Sequence, residues 1–303
     1  MNLHENRKLF DDIIKEVSDQ LKISAGIIEK DYYVTLFLHD LILLDNNFVL
    51  KGGTSLSKCY HLINRFSEDI DLNYPIELLT TGKRKKIKNE IIKVIDKNHF
   101  HLINSENIRS RRTFNQYQVS YQIEHTDKSL KQLLFIETAF QTESYPTSLC
   151  IVKSIIAEFL ISKNFNSIIN EYDLYPFMIN TQSIERTFID KIFAICDYYL
   201  SKKIDEHSRH LYDLYKLYPK VTIDEDFFKL FKKVRKERAK NDYCLSAKPN
   251  VHLTSLFESI IANHTFKDDY NNITKELLWE DIEYYDTIEI LKNISNILVS
   301  NNL

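Results

Sequence analysis

Glycine is scarce in this chain, with four among 303 residues, and proline is nearly as rare at five. Nothing in the chain forms a low-complexity tract, and no internal repeat emerges. The four cysteines, Cys59, Cys150, Cys196 and Cys244, stand far apart without a CxxC pair. That excludes a zinc-ribbon or disulfide framework and fits a reducing compartment. No apolar run approaches the length of a membrane span. Met1 to Lys15 alternates charged with apolar residues, so a signal peptide is not expected either. These absences predict a soluble, cytoplasmic protein with no membrane partner. An excess of positive charge is lacking too: the formal net charge is −3. No global field draws the chain to nucleic acid, and any such contact must come from local clusters. What remains is ordinary globular composition, 44% hydrophobic and 27% charged, at a length that suits about two domains.

Two of the four glycines are adjacent, in Gly52-Gly53-Thr54-Ser55, and Ser67-Glu68-Asp69-Ile70-Asp71-Leu72 follows shortly after. Leu9, Ile13, Ile14, Val17 and Leu21 repeat at helical spacing, and Ile28 to Leu43 reads as a second helix with Ser24 as its N-cap. Phe48 to Leu50 is a short strand running into the glycines, and a helix is expected from Ser55 to Leu62. Asp69 to Asn73 is a strand by alternation, with Ile70 and Leu72 on one face and Asp69 and Asp71 on the other. A helix over Lys83 to Ile95 follows. Tyr117, Val119, Tyr121 and Ile123 alternate with polar residues as a half-buried strand. Leu133 to Phe140 is apolar on both faces apart from Glu137, which predicts a central strand. Beyond Pro146 the pattern turns helical, placing a domain boundary there: 1–148 for the first domain, 149–303 for a helical second one.

A strand ending in two glycines, with Thr54, Ser55 and a helix directly behind, presents backbone N–H groups and hydroxyls suited to phosphate oxygens. The plain alternative is a tight strand-to-helix turn. Asp69 and Asp71 share a strand face a few ångströms apart, where two anions repel unless a cation lies between them. Magnesium, which prefers carboxylate and phosphate oxygens, answers that need; solvated acids on an open face are the alternative. Glu137, among apolar neighbours, is expected to be metal-bound as a third carboxylate or paired to an arginine such as Arg65. Lys191 lies at the edge of the helical stripe Ile184, Phe188, Ile192, Ile195 and Tyr199, where its ammonium can reach inward to a triphosphate or snorkel to water. Asp213 stands four residues after Arg209, a spacing that allows a local salt bridge.

Together these residues resemble the AbiEii/AbiGii toxin family of nucleotidyltransferases, within the DNA polymerase β-like superfamily. The resemblance runs through Lys51-Gly52-Gly53-Thr54-Ser55-Leu56, Arg65-Phe66-Ser67-Glu68-Asp69-Ile70-Asp71-Leu72, Arg186-Thr187-Phe188 with Lys191, and Ser208-Arg209-His210 with Tyr212-Asp213-Leu214, and it includes Glu29-Lys30-Asp31-Tyr32. It implies an α+β fold, a polymerase β-like domain with a mixed sheet followed by a mainly helical domain contributing Lys191 and Asp213. It further implies transfer of a nucleoside monophosphate from an NTP, with Mg2+ or Mn2+. By position, Asp69 and Asp71 are metal ligands, with Glu137 a looser third. Gly52, Gly53, Thr54, Ser55, Ser67 and Lys191 hold the nucleotide, and Asp213 is an essential acid. The acceptor it implies is the 3′ end of tRNA, with a cognate antitoxin as partner and a role in toxin–antitoxin or phage-defence systems. Modification of a protein, including the chain itself, and a catalytically silent RNA- or partner-binding protein are the competing readings. Basic clusters at Lys83 to Lys88, Arg109 to Arg112 and Lys232 to Lys240, with Phe114 and Tyr117 after the second, suit RNA or are solvated faces.

Overall fold

The computed structural model describes residues 1–128 and 130–301. The chain forms two compact units, the first comprising 1–60 and 67–181, the second 61–66 and 182–303. An α+β architecture results, as expected.

In the first unit, α1 (Arg7–Leu21) and α2 (Ala25–Leu44) lead into β1 (Val49–Lys51) and the short α3 (Gly52–Lys58). Then come β2 (Asp69–Asn73), α4 (Thr81–Lys97), β3 (His101–Leu102), β4 (Phe114–Ser120), β5 (Leu134–Ala139), β6 (Thr147–Val152), α5 (Ile155–Ser162), α6 (Asn166–Tyr172) and β7 (Phe177–Gln182). The strands build one mixed sheet in the order β3-β4-β5-β2-β1-β7-β6. β1 is antiparallel to β2 and parallel to β7, while β5 is parallel to β2 and antiparallel to β4. Because β7 pairs with β1, residues 177 to 181 belong to the first unit. The units therefore divide at 181/182, well past Pro146.

Alternation decides which sheet face is covered. Ile70, Leu72, Tyr117, Val119, Leu134 and Ile136 are fully buried, and α2 joins the same apolar core while packing against α1, α4 and α5. The opposite face carries Asp69, Asp71, Phe135, Glu137, Gln116 and Gln118, all half-buried. β5 is central, as predicted, but its second face is half-open rather than apolar and sealed. The predicted strand through Ile123 stops at Ser120, because Tyr121 turns to pack on Tyr33 with centroids 4.6 Å apart. The N–H groups of Glu124 and His125 then bond the Glu29 carboxylate instead of a neighbouring strand.

The second unit is helical: α7 (Ile184–Ser201), α8 (Arg209–Leu217), α9 (Glu225–Arg238), α10 (Leu253–Ala262) and a last helix over Tyr284–Ser300. α7 packs against α8, α9 and α10, and the last helix against α8 and α10. The excursion 61–66 is stitched into this unit by its backbone. The Asn64 N–H donates to the Tyr212 hydroxyl at 2.8 Å, and its carbonyl accepts from Trp279 N–H at 2.8 Å.

Candidate active site

The carboxylate face of the first unit is organised as a row. Lys51, Asp71, Glu137 and Gln116 lie directly opposite one another across β1, β2, β5 and β4, with Asp69 and Phe135 in the next row. Glu137 was expected to need a metal or an arginine because of sealed apolar surroundings. It is half-buried instead, and its Oε1 accepts from Gln116 Nε2 at 2.7 Å.

Gly52 explains the glycine turn better than phosphate binding alone. Its φ is +71°, in the left-handed region. A Cβ at this position would lie 2.0 Å from Asp71 Oδ2. The missing side chain is thus the seat of the Asp71 carboxylate. Thr54 and Ser55, expected to offer hydroxyls to phosphate, are fully buried. Thr54 Oγ1 donates to the Asp69 carbonyl at 2.5 Å and lies 3.3 Å from Ser67 Oγ, while Ser55 Oγ donates to the Gly52 carbonyl at 2.8 Å. The Thr54 hydroxyl fastens the turn to the acidic strand and the Ser55 hydroxyl closes the turn on itself, so neither faces outward. Gly52, Gly53 and Ser67 stay partly accessible.

A second set of residues braces this arrangement, and the motif reading had noted it only as Glu29-Lys30-Asp31-Tyr32. α2 buries Glu29, Lys30 and Asp31, three consecutive charges, and each reaches a different segment. Lys30 is wholly buried, bonding the Glu68 carboxylate and donating to the Lys131 carbonyl at 2.6 Å. Glu68 is the residue immediately before Asp69. Asp31 Oδ1 takes Lys58 Nζ at 2.5 Å from the end of α3, and its Oδ2 takes the Ile155 N–H at 2.8 Å. Burying these charges without partners would cost several kcal/mol each. A charged triplet inside an apolar helix was the available signal: such residues are tolerated only when paired.

Among the described residues, no group of three or more His, Cys, Asp and Glu side chains is placed to hold a metal ion. The donor set at the acidic strand fits magnesium in a different way. That ion is commonly bound by one or two carboxylates completed by substrate phosphates and water, and Asp69 and Asp71 on one half-open face, with Asp71 seated over Gly52, offer two.

In the second unit the structure brings together Lys191 and Asp213, with Arg65 as a third member. Asp213 is completely buried. Arg65 Nε and Nη2 donate to its two oxygens at 2.9 and 2.7 Å, and Lys191 Nζ lies 2.5 Å from Oδ2. Burial alone would raise the Asp213 carboxyl, but the Arg65 and Lys191 charges outweigh it and hold it well below the ordinary carboxylate range. Burial pulls the Lys191 ammonium down, opposed by Asp213.

A family model, the nucleotidyl transferase AbiEii toxin of type IV toxin–antitoxin systems, matches residues 36–288. The chain belongs to the AbiEii nucleotidyltransferase toxin family. No curated protein gives a significant match. The AbiEii match takes in the glycine turn, the acidic strand, Lys191 and Asp213, and it extends across both units. Among the described residues, no helix of this toxin is long and apolar enough to cross a membrane.

Proposed function

We propose that this AbiEii toxin transfers a nucleoside monophosphate from an NTP to the 3′ end of tRNA, with magnesium held by Asp69 and Asp71 and a cognate antitoxin restraining it. The observation that carries the reading is the seat of Asp71 over the Cβ-free Gly52, on the same strand face as Asp69. When bound, magnesium supplies neutralisation of the triphosphate and activation of the attacking hydroxyl. The chain's own contribution is positional. Gly52 and Gly53 let backbone come close to a phosphate, Thr54 fixes the turn to β2, and Ser67 offers a hydroxyl beside it. Glu137, held by Gln116, borders the pair and completes the acidic row. Lys191, a cation, has the chemistry to meet phosphate, and Asp213 acts as the positioning residue that holds it.

The test is incubation with each of the four radiolabelled NTPs, magnesium and total tRNA. Labelled tRNA is expected, and Asp69→Asn should lower the rate by about a thousandfold or more, as loss of a metal-binding carboxylate demands, with the melting temperature unchanged. Label on the protein alone would shift the acceptor to a polypeptide. No label anywhere, with all four nucleotides, would overturn the proposal.

A further inference from the structure

Two basic clusters that are separate in sequence form one surface in the first unit. Residues 83 to 112 hold ten Lys and Arg against three Asp and Glu, in a chain whose net charge is −3. Arg84 Nη1 on α4 donates to the Arg111 carbonyl at 3.3 Å, and Lys88 Nζ, one helical turn on, to the Ile108 carbonyl at 3.4 Å. The exposed basic side of α4 is thereby joined to the loop carrying Arg109, Arg111 and Arg112, all three exposed. Some charges of the region are already spent: Lys83 pairs with Asp45, Lys86 with Glu90 and Lys97 with Asp40. By contrast, none of Arg84, Lys85, Lys88, Arg109, Arg111 and Arg112 is paired to a carboxylate among the described residues. Where their side chains bond at all, they bond backbone carbonyls.

The third cluster belongs to the second unit. In α9, Arg238 is held by Asp190 and Asp197 and Lys233 lies 3.8 Å from Glu237, while Arg235 bonds a backbone carbonyl. Lys232, Lys236 and Lys240 are exposed, which makes this cluster the comparison for the surface of the first unit.

The loop 109–112 leads straight into β4, whose first residue, Phe114, is 43% exposed. Phe114 shares the half-open face with Gln116, which stands opposite Glu137 and, beyond it, Asp71. Two strand spacings across and two residues along place Phe114 roughly 12 Å from Asp71, by ordinary sheet dimensions. An exposed aromatic between uncompensated arginines and an acidic row has the parts of a single-strand track: charge for phosphates and a ring for a base.

We propose that the surface formed by α4, the loop 109–112 and Phe114 binds the single-stranded end of an acceptor RNA, arginines and lysines taking its phosphates and Phe114 stacking one base. This rests on the transfer reading for its direction, since the track leads to the carboxylates. Its test does not need transfer. A fluorescein-labelled, 12-nucleotide single-stranded RNA is titrated with the full chain, without NTP, by fluorescence anisotropy across a salt series.

The triple variant Arg109→Ala/Arg111→Ala/Arg112→Ala should bind at least tenfold more weakly. Its log–log salt slope should shrink by about two, since each lost phosphate contact removes about 0.7. Phe114→Ala should weaken binding about fivefold or more through lost stacking while leaving the slope intact. Lys232→Ala/Lys236→Ala, in α9, should change neither. A triple variant with wild-type affinity and slope would overturn the proposal. So would a protein that does not bind the oligonucleotide at all, which would turn the patch towards an acidic protein partner. If the variants bind as expected but no NTP labels RNA, the surface stands and the transfer reading falls. If tRNA is labelled with an unchanged KM in the triple variant, transfer stands and this surface falls.

Discussion

The carboxylates of Asp69 and Asp71 and that of Asp213 stand in opposite surroundings. The first two lie half-buried on an open sheet face, with Asp71 settled over a glycine that makes room for it. The third is sealed, with an arginine fork on its two oxygens and a lysine against one. Residue type is the same, and all three lie within the stretch that the family model matches. Accessibility separates them: an acid on a half-open face is within reach of solvent, whereas a sealed one gripped by two cations serves to hold those cations in place.

The sharpest break of this contrast is Asp213→Asn. Removing the negative charge takes the buried carboxylate away from Arg65 and Lys191, which should cost about 3–5 kcal/mol of stability, read from urea unfolding. A loss under about 1 kcal/mol would show the triad to be no tighter than a surface pair. Acidity sharpens the same point. With its folded-state value depressed, Asp213 contributes stability that is complete above the ordinary carboxylate value near 4 and is lost as pH falls below it towards the folded value. The gap between wild type and Asp213→Asn should therefore be full at pH 6.5 and narrower at pH 3.

Gly52→Ala probes the open side. A side chain forced into the left-handed region costs about 1–2 kcal/mol, and this one would also push Asp71 from its seat. Transfer should fall by about a hundredfold, as a misplaced group commonly does. Activity that survives while stability drops would mean that the carboxylate's position is not critical.

Lys30→Met should have the smallest effect on transfer, with about 2 kcal/mol of stability lost. The Glu68 carboxylate is left without its ammonium but keeps the Lys131 N–H and some contact with water. A rate loss beyond the loss of folded protein would identify Lys30 as a positioning residue for β2. A rate equal to wild type would confine it to stability.

Much of the open face could be read from short-range pattern. The Asp-Ile-Asp-Leu alternation placed both aspartates on one side, and Glu137 was expected on a strand beside them, where it stands opposite Asp71. The sealed cluster could not be read so. Arg65 and Asp213 are 148 positions apart, and no local period links them. The spacing of Arg209 and Asp213 suggested a helical pair and gave no sign of Arg65 and Lys191, which grip the carboxylate. Thr54 and Ser55 looked like phosphate ligands because hydroxyls after glycines commonly are. Here they face inward, a matter of packing rather than order of residues. The merger of two basic clusters likewise depends on α4 lying beside the loop 109–112.

The six-residue excursion 61–66 sets a condition on biosynthesis. Arg65 leaves the ribosome almost 150 residues before the aspartate it must neutralise. A nascent or prematurely stopped polypeptide that ends before α8 carries this guanidinium without the Asp213 carboxylate. Completion of that bond is therefore a late event in synthesis, and premature stop codons upstream of α8 would forbid it altogether.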